Sequence, residues 1–132
     1  MEETEVFAAV GEEGFTKLVT AFYRRVPTDD LLGPMYPMED MEGAEQRLRD
    51  YLIYRFGGSE KYIQERGHPR LRVRHFPFPI TIAARNRCME FMDAAFQEAA
   101  FPPEAEQAVR AFFDQMSTFM VNRLDEQGAQ QQ

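Results

Sequence analysis

A short basic segment, Gly67–Ile80, constrains this chain more than any other stretch. It reads G-H-P-R-L-R-V-R-H-F-P-F-P-I and contains both histidines of the protein, His68 and His75. Four arginines fall between positions 66 and 74, and three prolines prevent one continuous helix. Imidazole is the commonest metal ligand among neutral side chains, and guanidinium groups suit carboxylates or phosphates. The sequence therefore predicts a stiff, basic, irregular segment that can hold a ligand.

The residues of this segment argue against a structural zinc site, which needs about four Cys or His ligands. The chain offers two histidines and one distant cysteine, Cys88. A heme iron needs only one histidine from the protein, and arginines can bind the two propionate carboxylates. The segment therefore fits heme better than zinc, while a solvated basic loop whose histidines do nothing explains the same residues.

Apolar residues recur at helical spacing through most of the chain. We predict a short helical start at residues 2–10, stopped near Gly11, and then helices over 12–26, 39–56, 60–66, 82–100 and 104–124. Pro27 and the pair Gly57–Gly58 should end two of these helices, and Thr81 can cap another. No run alternates long enough to indicate a strand. We expect one domain over residues 1–126 and a disordered tail over 127–132.

Charge and cysteine content limit the cellular setting of the chain. A formal charge of −7 argues against general nucleic-acid or anionic-membrane binding. A single cysteine excludes an internal disulfide and fits a reducing compartment, and the N-terminus resembles no signal peptide. No apolar run approaches the ~20 residues of a membrane span. We expect a cytoplasmic protein that is a monomer or homodimer and has no nucleic-acid or membrane partner.

Several further motifs extend the pattern beyond the basic segment. The run E-R-G-H-P-R-L-R-V-R-H-F-P-F-P-I covers Glu65–Ile80, and A-A-R-N-R covers Ala83–Arg87. The motifs F-Y-R-R-V, L-G-P-M-Y-P, R-L-R-D-Y-L, G-G and M-V-N begin at residues 22, 32, 47, 57 and 120. In order and spacing these motifs, over about residues 6–123, resemble the truncated hemoglobins of the second group. The resemblance implies an all-α, two-over-two globin sandwich that encloses a heme.

The resemblance also implies roles for individual residues. His75, the second histidine, would be the proximal iron ligand. The ligand pocket on the other side would be formed by Tyr23, Tyr36, Ala44, Leu48 and Cys88, with Tyr23 over the iron as hydrogen-bond donor. Contacts with the heme would come from Leu48, Tyr62, Arg66, His68, Arg72, Val73, His75, Ile80, Met92 and Met116. The cofactor would be a non-covalent heme b, because the C-x-x-C-H motif of covalent attachment is absent.

The arginines of the basic segment are expected to divide between heme and water. Arg66 and Arg72, with help from Tyr62, would hold the propionates. Arg70 and Arg74 would face water, since neighbours in an extended run alternate sides. His68 precedes Pro69, which biases its backbone toward extended geometry and suits a propionate or solvent contact.

Position 88 departs from the family pattern. The second group characteristically carries tryptophan where this chain has Cys88, and the chain contains no tryptophan at all. Cysteine is small and at most a weak hydrogen-bond donor, whereas tryptophan supplies an indole N–H and a large ring. We expect a wider ligand pocket with one fewer donor, unless Phe91, Met92 or Phe96 refills the space. Iron ligation by the Cys88 sulfur is a minor alternative.

Three functions are compatible with these residues. The first is a globin that binds oxygen, carbon monoxide, nitric oxide or other small ligands at a histidine-ligated heme, for carriage, sensing or redox work. The second is a heme-dependent peroxidase or nitric oxide dioxygenase, which needs a reductase that the sequence does not reveal. The third is a heme-free helical module that binds an anion through its arginines. The sequence contains no glycine-rich phosphate loop, no G-x-S-x-G and no H-E-x-x-H motif.

Overall fold

The computed structural model of the chain describes residues 1–75 and 77–124, except for the side chain of Val73. The predicted tail at 127–132 lies outside these residues. The described part is helical and contains no strand, as the sequence predicts. Its helices are α1 (Val6–Arg25), α2 (Met41–Arg55), α3 (Lys61–Arg66), α4 (Leu71–His75), α5 (Ile82–Ala99) and α6 (Pro103–Phe119). Single 3₁₀ turns occur at Glu3–Glu5, Gly33–Met35 and Met38–Asp40.

The first helix contains the break that the sequence places near Gly11. Gly11 has φ of 68° and ψ of 178°, so the helix changes direction there. A positive φ is inexpensive for glycine and strained for other residues. The part after the break carries the predicted apolar stripe, of which Phe15, Leu18 and Phe22 are buried. Pro27 follows the end of α1, because proline cannot continue a helix.

Local residues fix the starts of α2 and α5 and the end of α2. The Asp40 carboxylate accepts a hydrogen bond from the Gly43 N–H at 3.2 Å, and the Thr81 hydroxyl accepts one from the Ala84 N–H at 3.1 Å. These are ordinary N-caps, and the one at Thr81 was expected. Gly57 follows α2 with φ of 102°, and a Cβ there would lie 2.0 Å from the Thr4 carbonyl oxygen. Only glycine fits that contact.

Two helix pairs enclose the core. Helix α1 packs against α2, α5 packs against α6, and the pairs meet mainly through α1 and α5. Phenylalanine rings join them: Phe15 lies 6.0 Å from Phe56 and 5.8 Å from Phe101 between ring centroids. Fully burying one such ring contributes roughly 1.5–3 kcal/mol of hydrophobic free energy. This rigid core holds the shorter elements that form the site.

The basic segment is more ordered than the sequence suggests. Its prolines do exclude a continuous helix, since Pro69, Pro77 and Pro79 all lie outside α4. Between them, five residues close one helical turn. The prediction of a wholly irregular segment is therefore wrong over Leu71–His75, where no proline interrupts the turn.

The C-terminal end of α6 is tied to this segment. The Asn122 carboxamide accepts a hydrogen bond from the Ile80 N–H at 3.0 Å and donates one to the Phe78 carbonyl at 3.0 Å. The Asn122 N–H donates to the Ile80 carbonyl at 2.9 Å. We call these three bonds the Asn122 strap. Helix α6 ends at Phe119, earlier than predicted, because the residues after it bond to the 78–80 loop instead.

Among the described residues, none of the helices has the length and hydropathy that a membrane crossing requires.

Candidate functional site

A largely apolar cavity of about 800 Å³ lies between α1, α2, α4, α5 and α6. Its size suits a cofactor or drug-sized ligand. Most of the site residues predicted from the sequence line it: Tyr23, Tyr36, Ala44, Leu48, Tyr62, Arg66, His75, Ile80, Cys88, Met92 and Met116. His68 and Arg72 do not. Nothing can be said of the predicted Val73 contact, because that side chain lies outside the described residues.

The two histidines differ in the ring nitrogen that is free. His75 Nδ1 lies 2.7 Å from the Leu71 carbonyl oxygen. A carbonyl can only accept, so Nδ1 carries the proton and Nε2 keeps its lone pair for a metal. His68 Nδ1 instead accepts a hydrogen bond from the Arg70 N–H at 3.2 Å, so its own proton sits on Nε2. His68 is exposed and outside the cavity, whereas His75 lines it.

Two tyrosines form a second polar feature of the cavity. The rings of Tyr23 and Tyr36 meet edge to face, with centroids 5.5 Å apart. The Tyr23 hydroxyl donates to the Ala44 carbonyl at 3.3 Å, longer than the 2.7–2.8 Å typical of such bonds. The Tyr36 hydroxyl has no hydrogen-bond partner among the described residues. Burial raises the pKa of both phenols, so both remain hydrogen-bond donors at neutral pH.

Cys88 lies in the same wall of the cavity. Burial raises the pKa of its thiol to about 11, so the sulfur is a neutral thiol at physiological pH. A metal ligand would need the thiolate, which weakens the alternative of iron ligation by Cys88. Of the bulky neighbours that could replace tryptophan, Met92 lines the cavity, while Phe91 and Phe96 do not.

The structure contradicts the expected orientation of two arginines, Arg72 and Arg74. The expectation assumed an extended run, but Leu71–His75 is helical, and residues three and four apart share a face of a helix. Leu71, Arg74 and His75 therefore all line the cavity. Arg74 Nη1 donates to the Tyr62 hydroxyl at 3.0 Å and Nη2 donates to the Arg66 carbonyl at 3.1 Å.

The Arg72 side chain points away from the cavity, toward the end of α6. Its Nε donates to the Phe119 carbonyl at 3.1 Å, and its guanidinium lies over the Phe119 ring at 5.6 Å. The predicted heme contacts of Arg72 and His68 therefore disagree with the structure. Both side chains lie outside the cavity because the helical turn rotates Arg72 away, and because the Gly67–Arg70 loop leaves His68 exposed.

Sequence reasoning missed two other arginines at the cavity, Arg47 and Arg85. Arg47 pairs with Asp40 at 3.2 Å. Arg85 pairs with Asp114 and donates to the Thr118 hydroxyl at 3.2 Å. Both lie within motifs quoted above, and Arg47 follows Ala44 by three residues on the same helix. That helical spacing is a signal that could have placed Arg47 beside the pocket.

An ion pair holds the turn before Tyr36 against α5. Arg87 Nη1 lies 2.5 Å from the Asp29 carboxylate and 2.9 Å from that of Asp30. Burial opposes ionisation of Asp29, but hydrogen bonds from the Leu32 N–H, Arg87 and the Leu31 N–H lower its pKa below the ordinary value. These ion pairs therefore hold Arg87, the residue before Cys88, against the turn that precedes Tyr36.

The donor set of the cavity fits heme rather than a bare metal ion. Among the described residues, no three His, Cys, Asp or Glu side chains gather to hold a metal. One imidazole has a free Nε2, which is what heme iron requires of a globin. Arg66, Arg74 and the Tyr62 hydroxyl offer cationic and polar groups for carboxylates, and the remaining lining is apolar enough for a porphyrin face.

Comparisons with known proteins identify the family of the chain. The sequence model of the bacterial-like globin family matches residues 5–122. The structure resembles a thermostable hemoglobin from Thermobifida fusca, with 44% identity, a TM-score of 0.85, and coverage of 89% of this chain and 96% of that one. It also resembles the group II truncated hemoglobin of Bacillus anthracis, with 30% identity, a TM-score of 0.87, and coverage of 94% and 95%.

A third solved relative is the truncated oxygen-avid hemoglobin of Bacillus subtilis, with 32% identity and a TM-score of 0.84. The match covers 89% of this chain and 98% of that one. Sequence, fold and cavity agree: the chain belongs to the bacterial-like globin family, within the group II truncated hemoglobins.

Proposed function

We propose that this globin holds one non-covalent heme b through His75 and binds oxygen and other small diatomic ligands. The observation that carries the proposal is the hydrogen bond from His75 Nδ1 to the Leu71 carbonyl at 2.7 Å. It orients the ring and leaves Nε2 as the ligand nitrogen, and a bonded second nitrogen also raises ligand basicity. A heme held by His75 would supply an iron that coordinates a diatomic ligand.

The two tyrosines stabilise the ligand on its own side of the heme. Tyr23 gives up only a long bond to Ala44 when it turns to a ligand, and Tyr36 has no competing partner among the described residues. Both phenols keep their protons at neutral pH because burial raises their pKa values. The oxygen avidity of the Bacillus subtilis relative supports oxygen as one of the ligands.

Arg66 and Arg74 bind the propionates, and Tyr62 assists them. Arg74 holds the Tyr62 hydroxyl and the Arg66 carbonyl, so one side chain organises this whole edge of the cavity. Arg66 stacks over the Tyr62 ring with its guanidinium carbon 6.0 Å from the ring centroid. The contact stabilises both groups, since cation–π pairs contribute about 0.5–1 kcal/mol at exposed sites.

The remaining features of the proposal concern the chain as a whole. Residues 1–126 form one globin domain, which acts in the cytoplasm as a monomer or homodimer and receives electrons from a reductase. The single cysteine supports a reducing compartment. The charge of −7 supports the absence of nucleic-acid and anionic-membrane partners.

Optical spectra of the His75→Ala and His68→Ala variants test the proposal. The purified wild-type protein should show a heme Soret band, which shifts on reduction and on addition of carbon monoxide. His75→Ala should lose or greatly weaken heme binding, whereas the matched variant His68→Ala should keep the wild-type spectrum. A reversed result would refute the ligand assignment, and absence of any Soret band would favour the heme-free anion-binding module. Sustained turnover with peroxide and a reductant, or with nitric oxide and oxygen, above that of free heme would favour an enzyme.

A further inference from the structure

A second groove, of about 710 Å³, lies outside the cavity beside α4. Its walls come from the second half of α2, from α3, from the loop before α4 and from the end of α6: Tyr51, Tyr54, Arg55, Ile63, His68, Pro69, Arg70, Leu71, Arg72, Met116 and Phe119. We call this feature the α4 groove. It contains the two residues, His68 and Arg72, that the sequence suggested for the heme and that the cavity does not use.

The α4 groove is basic although the chain is acidic. Three arginines and one histidine line it, and no acidic side chain does so among the described residues. Arg55 is already paired with Glu3 at 2.5 Å. Arg72 donates only its Nε to a carbonyl, and the exposed Arg70 side chain has no ion-pair or hydrogen-bond partner among the described residues. A free positive patch on a chain of charge −7 attracts acidic surfaces selectively.

The composition of the groove suits a protein surface better than a small anion. Phe119 is 59% exposed beside Arg72, and Tyr54 lines the same groove. Exposed aromatic residues next to arginine are enriched at protein–protein interfaces. The two available cations, Arg70 and Arg72, are both exposed, whereas a built phosphate site needs buried polar partners.

The α4 groove also lies next to the cavity. Tyr51, Leu71 and Met116 line both, so the two spaces are separated by single side chains. A protein seated in the groove would therefore come close to a heme held by His75, which belongs to the same short helix as Leu71 and Arg72.

We propose that the α4 groove docks the acidic face of a one-electron donor protein. The proposal rests on the heme site proposed above. The transfer moves one electron from the donor to ferric iron, oxidising the donor and reducing the iron, and no bond forms or breaks. Arg70 and Arg72 steer and hold the partner, and Phe119 supplies apolar contact.

Charge reversal in the groove tests the proposal, with an acidic flavodoxin as the probe donor. The variant Arg70→Glu/Arg72→Glu is compared with Lys17→Glu/Arg49→Glu, which changes the net charge equally but alters neither the cavity nor the groove lining. Stopped-flow spectroscopy measures ferric heme reduction by reduced flavodoxin at several salt concentrations, and calorimetry measures binding of oxidised flavodoxin. The Soret spectrum and the oxygen dissociation rate serve as independent readouts of the heme site.

At low salt, the heme of the groove variant should be reduced by flavodoxin about ten-fold or more slowly than that of the wild type, and the variant should bind the probe correspondingly more weakly. The control variant should change little in either measurement. The wild-type rate should fall with salt, because screening weakens exposed charges. Reduction by photoreduced riboflavin, a small donor that has no protein docking face, should be equal in the groove and control variants. If the double variant loses heme, Arg70→Glu alone replaces it, because that side chain makes no hydrogen bond or ion pair with a described residue.

Equal slowing in both double variants would refute the docking site, since general charge would then explain the rates. Unchanged rates and binding in the groove variant would refute it as well. Saturable binding of inorganic phosphate in the groove would also refute it, if that binding explained the slower heme reduction in the charge-reversed variant. In these cases intact Soret and oxygen readouts leave the heme proposal standing. A wild-type protein without heme would overturn both.

Discussion

Replacing Tyr23 by phenylalanine removes one hydroxyl from the ligand side of the cavity and little else. The hydroxyl now reaches the Ala44 carbonyl at 3.3 Å, and that carbonyl belongs to helix α2. Because this bond is long, we expect little loss of folding stability. When oxygen coordinates ferrous iron it gains negative charge, so a donated hydrogen bond stabilises it by about 0.5–1.5 kcal/mol or more. This range corresponds to an oxygen off-rate roughly two- to ten-fold higher in Tyr23→Phe.

Stopped-flow displacement of oxygen by carbon monoxide measures this rate. Carbon monoxide gains little charge on coordination, so its own dissociation should change less and serves as the control. Tyr36→Phe is the matched variant, since the two rings are in edge-to-face contact at 5.5 Å. The double variant then shows whether the two donors act independently. An unchanged oxygen off-rate in Tyr23→Phe would refute the assignment and give the role to Tyr36 or to water.

The other predictions concern the pocket wall, the propionate edge and pH. Cys88→Trp should slow ligand entry and escape several-fold in flash photolysis, because the indole would occupy cavity space beside position 88; equal rates in a folded, heme-loaded variant would show that the space is already closed. Arg74→Leu should speed heme loss to apomyoglobin about five-fold, as expected for a contact of ~1 kcal/mol, while Arg72→Leu should not. The lowered pKa of Asp29 means that its stabilisation is complete above the ordinary carboxyl pKa of about 4 and is lost as pH falls below it. Urea unfolding of Asp29→Asn should therefore show less loss of stability between pH 5 and pH 3 than the wild type, and parallel curves would contradict this.

The helices were predictable because their signals are local. The caps at Thr81 and the breaks at Gly11 and Pro27 depend on a few neighbouring residues, and the structure contains each of them. The end of α6 was not predictable in this way. It depends on Asn122 bonding to Ile80, a residue 42 positions away, which no helical pattern reports.

The site residues likewise fall into a group that was predictable from the sequence and a group that was not. The resemblance to the truncated hemoglobins was enough to predict that Tyr23, Tyr36 and Cys88 share one cavity, and all three line it. The arginines were assigned wrongly because the side that each one faces depends on the backbone between two prolines. An extended and a helical form of that backbone exchange the positions of Arg72 and Arg74, and local propensity does not choose between them.

The Asn122 strap has a practical consequence for experiments on this protein. The three hydrogen bonds of Asn122 hold the loop that follows His75. An affinity tag or fused reporter that follows Asn122 is therefore expected to disturb that loop and, through it, His75, the proposed iron ligand. A tag at the N-terminus would precede α1, which contributes none of the hydrogen bonds of the strap. Ligand kinetics measured with the two placements should be compared before any rate is attributed to the pocket itself.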